Sequence, residues 1–153
     1  MPGLAHMKNI YPDCWESRTD KTFPLRDVKS RSRNEIIFSN PTKSENIIFQ
    51  LDDCVVKDST TRRCDFLLYD CYETEHFIEL KGKDIAHGIK QLKTSMRQFG
   101  DKKKRKYCFI ISSKVNFPRT IINNYTVNFY NEFNAILKIK NVKMTYPLPS
   151  PTQ

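Results

Sequence analysis

Asp65, Glu79 and Lys81 are the residues of this chain best placed to do chemistry. Asp65 opens the apolar run Phe66-Leu67-Leu68-Tyr69, and Glu79 and Lys81 alternate with Ile78 and Leu80 in a second run that starts at Phe77. Both runs read as strands, and the polar stretch from Asp70 to His76 reads as a hairpin connection. Folding the hairpin about Tyr72 or Glu73 brings Asp65 opposite Glu79, Leu80 or Lys81. Residues two apart on a strand project from one face, so Glu79 and Lys81 share a side. Two carboxylates and an ammonium then converge, offering hard oxygen ligands to a divalent cation and a positive charge beside a reacting group. The plainer reading of the same residues is a sheet edge decorated with solvated charges.

The elements that must position this group follow from periodicity. A first core strand is expected within residues 46–57, bending at Asp52-Asp53, followed by the hairpin strands 63–69 and 76–82. Beyond Gly82 the pattern changes: Ile85, Ile89, Leu92, Met96 and Phe99 mark one face of an amphipathic helix. Asp84 is its N-cap and Gly100 its stop. His87 and Gln91, four apart, flank that stripe, and Gln91 is a candidate to lean over the strand of Glu79 and Lys81. Tyr107 to Ser113 reads as a buried strand, and a strand–helix–strand order implies a crossover and a parallel or mixed sheet. A second, Asn-rich helix carries Ile122, Tyr125, Phe129 and Phe133, and residues 135–140 read as a last strand. The fold class is therefore α/β (α+β), a mixed central sheet flanked by helices. Glu35 to Phe38 is a short apolar run, and residues 8–34 give no clear pattern.

Composition bounds the partners. With 28% charged and 39% hydrophobic residues the chain reads as one globular domain, and it contains no apolar run of about 18 residues that could span a membrane. The net charge of +9 favours polyanions. Lys102, Lys103, Lys104, Arg105 and Lys106 form an unbroken basic run, with Arg31 and Arg33 a weaker one; a solvated loop is the bland alternative. Five cysteines without a secretory signal imply reduced thiols and a cytoplasmic setting, with Cys54, Cys64 and Cys108 as small core hydrophobes. They show no Cys-x-x-Cys or paired-His spacing for zinc. Residues 1–7 look like an expression scar ending in His6-Met7, residues 8–146 form the domain, and 147–153 are a Pro-rich tail, extended or disordered.

Asp65, then Glu79-Leu80-Lys81 on the following strand, then a helix bearing Gln91, resembles the PD-(D/E)xK nuclease superfamily over about residues 45–113. Cys64 stands where that family often has proline. The resemblance implies a restriction-endonuclease-like core and a Mg²⁺- or Mn²⁺-dependent endonuclease. Asp65, Glu79 and the Leu80 carbonyl would be metal ligands, Lys81 would lie beside the attacking water, and Gln91 would position the site. A further acidic ligand is expected before the first core strand, Glu45 first and Glu35 second. The implied partner is nucleic acid, DNA ahead of RNA, gripped by the basic run, with a homodimer by analogy. The rival reading is a non-catalytic nucleic-acid- or partner-binding module that keeps the fold, although clustered carboxylates would repel nucleic acid unless a cation neutralised them.

Overall fold

The computed structural model describes residues 3–27, 33–81, 84–113 and 118–151, and the side chains of all of these except Lys81. Nine strands and three helices follow in the order α1 (Leu4–Ile10), β1 (Trp15–Arg18), β2 (Thr22–Arg26), β3 (Glu35–Ser39), β4 (Asn46–Gln50), β5 (Phe66–Tyr69), β6 (Glu75–Lys81), α2 (Ile85–Phe99), β7 (Lys106–Ser112), α3 (Arg119–Phe133), β8 (Ala135–Asn141) and β9 (Lys143–Pro147) among the described residues. The class is mixed α+β. No described helix is long and apolar enough to cross a membrane.

A six-stranded sheet in the order β1-β4-β5-β6-β7-β8 forms the centre. Its first four strands run antiparallel in turn, whereas β6, β7 and β8 are parallel. The switch occurs where α2 carries the chain from β6 to β7, because a parallel neighbour requires a long crossover. Alternation along the strands then divides the core. Ile47, Phe49, Leu67, Phe77, Cys108 and Ile110 pack with the three helices on one face, and Ile48, Leu68, Ile78, Phe109 and Ile111 face the other way. Strand β7, covered on both faces, is apolar almost throughout.

The opposite face is covered by a three-stranded sheet, β2-β3-β9, through Phe23, Leu25, Ile36 and Phe38. The Asn34 amide fastens this sheet to the centre by donating to the Ile111 carbonyl at 3.1 Å. Pro24 is tolerated within β2 because β2 is an edge strand and its donor is not needed there.

Helix α2 follows its sequence signals closely. The Asp84 carboxylate accepts from the His87 N–H at 3.0 Å, and Gly100 closes the last turn through the Met96 carbonyl. In the hairpin, the Asp70 carboxylate accepts from the N–H groups of Tyr72 and Thr74, which lets Glu73 take a left-handed conformation (φ 59°).

Two expectations are corrected here and one alternative is decided. Residues 4–7, read as part of an expression scar outside the fold, take part in it, since α1 begins at Leu4 and buries Met7 in the helix-side core. Of the two forms expected for the Pro-rich tail, residues 147–151 take the extended one and are docked: Leu148 is buried, its N–H donates to the Ser39 carbonyl, and the Tyr72 hydroxyl donates to the Ser150 carbonyl. Cys54 is not a reduced core thiol but forms a disulfide with Cys14, while Cys64 and Cys108 are buried and free. The bond ties the residue before β1 to the turn after β4 across a sequence separation of 40. Reducing it, or replacing both cysteines by serine, is expected to lower stability by about 2–4 kcal/mol through the freedom returned to the unfolded chain. Urea unfolding with and without a dithiol reductant measures this, and an unmoved midpoint would contradict it.

Candidate active site

The hairpin register pairs Phe66 with Ile78 and Leu67 with Phe77, and Asp65 is the residue just before β5. The Asp65 N–H donates to the Ile78 carbonyl at 3.0 Å, one residue out of that register, so the pairing is irregular at the aspartate. By alternation Glu79 falls on the face of Phe77, beneath the helices, and the Asp65 carbonyl accepts from the N–H of Leu51, a residue of the same helix-side core. The Asp65 carboxylate accepts from the Leu80 N–H at 2.7 Å, which pins the aspartate to the middle of the Glu79-Leu80-Lys81 triplet.

Glu79 is completely buried, and α2 is what buries it. A Cβ added at Gly88 would meet the Glu79 Cγ at 3.5 Å and the Ile110 Cδ1 at 3.4 Å. A glycine at this position thus lets the helix settle onto the carboxylate stem. Two turns on, the Ser95 hydroxyl accepts from the Cys64 N–H at 2.8 Å and holds the chain just before Asp65. Gly88 and Ser95 were legible as the two small residues on the α2 stripe, but periodicity alone reads them as spacers. Burial pushes the Cys64 thiol far up, the Ser95 hydrogen bond opposes this, and the charges of Glu79 and Asp65 add to it. The thiol is a protonated, inert neighbour of the two acids.

Gln91 lies three residues beyond Gly88 and four before Ser95, so it occupies the same flank of α2, above the strands of Glu79 and Asp65. Its Oε1 is buried with no hydrogen-bond partner among the described residues. His87, also on this flank, is half-buried. Lys81 closes β6 in register with Ser112, and its side chain lies outside the described residues.

Among the described residues no group of three or more His, Cys, Asp or Glu side chains could by itself hold a metal ion. Asp65 and Glu79 supply two carboxylates. That set fits Mg²⁺ or Mn²⁺, hard ions held by one or two carboxylates while keeping several waters. Neither expected third acid joins them. Glu45 precedes β4, and β4 runs antiparallel to β5, so Glu45 falls at the far end of the strands from Asp65, exposed and accepting from the Ser17 hydroxyl at 2.9 Å. Glu35 lies in the second sheet, paired with Arg26 at 2.5 Å and Lys143 at 3.3 Å. The Arg26 hydrogen bond, against the cost of burial, holds its carboxyl below the ordinary value.

The basic run follows α2 as an exposed turn, with one exception. Lys102, Lys103, Lys104 and Arg105 are exposed, but Lys106 is buried as the first residue of β7, its ammonium donating to the carbonyls of Lys104 and Phe133. It cannot grip a ligand. Burial pulls its pKa down, and Glu75 and Asp101 pull it back up. The turn stands beside Glu75, at the start of β6, because β6 and β7 are parallel. Glu79 lies four residues further along, about 13 Å at the rise of a strand. The exposed cations and the carboxylates therefore occupy opposite ends of the sheet. Arg33 is exposed beside Asn34, which binds Ile111 near the carboxylate end, and Arg31 lies outside the described residues.

Compared with known proteins, the chain matches no protein-family model, no curated protein and no solved structure at a significant level.

Proposed function

We propose that the chain is a metal-dependent nuclease that hydrolyses phosphodiester bonds of a nucleic acid, DNA in the first instance. The observation that carries this reading is the hydrogen bond from the Leu80 N–H to the Asp65 carboxylate, with Glu79 buried next to it on the same strand. Two carboxylates at one hairpin offer the hard oxygen ligands that a divalent cation takes. The succession β4, β5 and β6 antiparallel, then α2, then β7 parallel to β6 supports the reading, since it is the order that the PD-(D/E)xK resemblance implies.

In this reading Asp65, Glu79 and the Leu80 carbonyl hold Mg²⁺ or Mn²⁺, which when bound polarises the phosphate and acidifies a water. The protein's own part is to fix the ligands and exclude bulk water. The Leu80 N–H orients Asp65, Gly88 and Ile110 confine Glu79, and Gln91 lies on the flank of α2 above these strands. Lys81 supplies the cation that meets charge developing on the phosphate. A cytosolic setting is compatible with this reading only if the Cys14–Cys54 bond persists there, which reducing thiol pools oppose.

A second reading, a binding module without catalysis, draws on the complete burial of Glu79 and on the distance between the cations and the acids. Incubation with supercoiled plasmid, linear duplex, single strands, branched junctions and RNA, with and without Mg²⁺ or Mn²⁺, separates the two. Binding without metal-dependent cleavage of any of them would leave the binding module standing.

Neutralising Lys102, Lys103 and Lys104 is expected to weaken polyanion binding and flatten its salt dependence, by roughly one unit of slope for each phosphate that the protein no longer neutralises. Cleavage at saturating substrate should be unaltered, because this turn is remote from the acids. An unchanged salt slope would make the turn a solvated loop.

A further inference from the structure

A second concave site lies at the sheet end that carries the basic turn, on the face away from the helices. Its walls are the hairpin turn with Asp70, Tyr72 and Thr74, the aromatic residues His76, Tyr107 and Tyr146, and the docked tail, and it encloses about 480 Å³. That is room for a nucleotide. Lys104 stands at its rim, exposed; Arg105 also borders it, but its guanidinium donates to the Asn134 Oδ1 at 3.1 Å and lies over the Tyr130 ring.

The aromatic wall is rigidly built. The His76 and Tyr107 rings stack at 5.2 Å with an 18° interplanar angle, and Tyr146 lies 6.1 Å from His76 and 6.3 Å from Tyr107. His76 is held from behind by Asp70, whose carboxylate meets the Nε2 at 3.0 Å. Burial opposes ionisation of Asp70, but the hydrogen bonds from His76, Thr74 and Tyr72 hold its carboxyl below the ordinary value. The other ring nitrogen, Nδ1, is buried in this wall with no hydrogen-bond partner among the described residues, on a side chain only 1% exposed. Tyr72, half-exposed on the hairpin turn, completes the mouth.

We infer that this cavity binds one nucleotide of a single-stranded nucleic acid, its base against Tyr146, Tyr107 and Tyr72 and its phosphate against Lys104. Aromatic planes beside exposed cations are what an unpaired base with its phosphate requires, and a duplex would keep the base faces hidden. Simple anion binding would use the cations and leave the aromatic wall without a role. The site shares the nucleic-acid ligand of the proposed function but neither of its acids, so the two readings can fail separately.

The test is fluorescence anisotropy with a labelled thymidine hexanucleotide, an abasic hexamer of equal charge, and inorganic phosphate as competitor, all in EDTA so that no cleavage is involved. The hexanucleotide is expected to bind more tightly than the abasic strand. Tyr146→Leu and Tyr72→Ala should each weaken it by about 5-fold or more, the stacking contribution of one base, while leaving the abasic strand unaffected. Lys104→Glu should weaken both strands. Circular dichroism checks the fold, and should Tyr146→Leu unfold, Tyr72→Ala at its exposed turn decides alone. Equal affinity for the two strands, unchanged affinity in the tyrosine variants, or full displacement by phosphate would each overturn the assignment.

Discussion

Glu79→Gln is expected to remove metal-dependent cleavage, lowering the single-turnover rate by on the order of 10²–10³-fold or more, while the protein stays folded. The amide keeps the shape of a side chain wedged beneath Gly88 and beside Ile110, so the packing of α2 is preserved. What it loses is the negative charge that a divalent ion needs. Asp65→Asn is the companion variant, because its amide oxygen can still accept from the Leu80 N–H and keep the hairpin register. Both should lose Mn²⁺ affinity, measured by calorimetry, and both should retain nucleic acid, since a negative charge has left the site. Lys81→Met should behave differently, keeping the ion and losing most of the rate, because its charge is needed in the transition state. Wild-type cleavage in Glu79→Gln, with metal affinity intact, would sink the nuclease assignment of this hairpin.

Phe109→Ala is expected to cost about 3–5 kcal/mol, a large part of the stability of a domain this size. Phe109 is fully buried at the junction of the two sheets. It meets Phe38 of the second sheet edge-on at 6.3 Å, Tyr146 at 4.8 Å and His76 at 6.2 Å. Truncation would open a cavity among side chains from β3 and β9 of the second sheet and β6 of the central sheet, which are anchored in different sheets and cannot all close on it. Phe109→Leu should cost markedly less because most of the volume remains. Chemical unfolding monitors both, and a loss below about 1 kcal/mol for the alanine variant would mean that the sheets are not joined through this ring.

The elements around the candidate site were legible because their signals are local. The 3.6-residue stripe from Ile85 to Phe99, with Asp84 before it and Gly100 after it, defines α2 without reference to the rest of the chain. The hairpin was legible in the same way, from two apolar runs about a polar turn, and its register follows from its length. Strands β1, β2 and β9 were not. They are short edge strands of four or five residues, one interrupted by Pro24, and only the sheet they join makes them strands. The Cys14–Cys54 bond was hidden for a related reason, since two cysteines 40 residues apart meet only once β1 pairs with β4.

Chemistry that depends on residues close in sequence was visible from the start: a short hairpin brings Asp65 beside the Glu79-Leu80-Lys81 segment of the next strand. Chemistry that depends on strand direction was not. Glu45 and the basic turn both belong to the far end of the sheet, because β4 runs against β5 while β7 runs with β6. Neither direction is written in the residues themselves. Lys106 makes the same point at a single position, reading as one more surface cation within a run of five until the parallel pairing of β7 with β6 and β8 draws it into the interior. Which side chains can share a hairpin is settled by local periodicity; which end of the sheet they reach, and whether water reaches them, is settled by non-local pairing, whose free energy comes from burying whole faces at once.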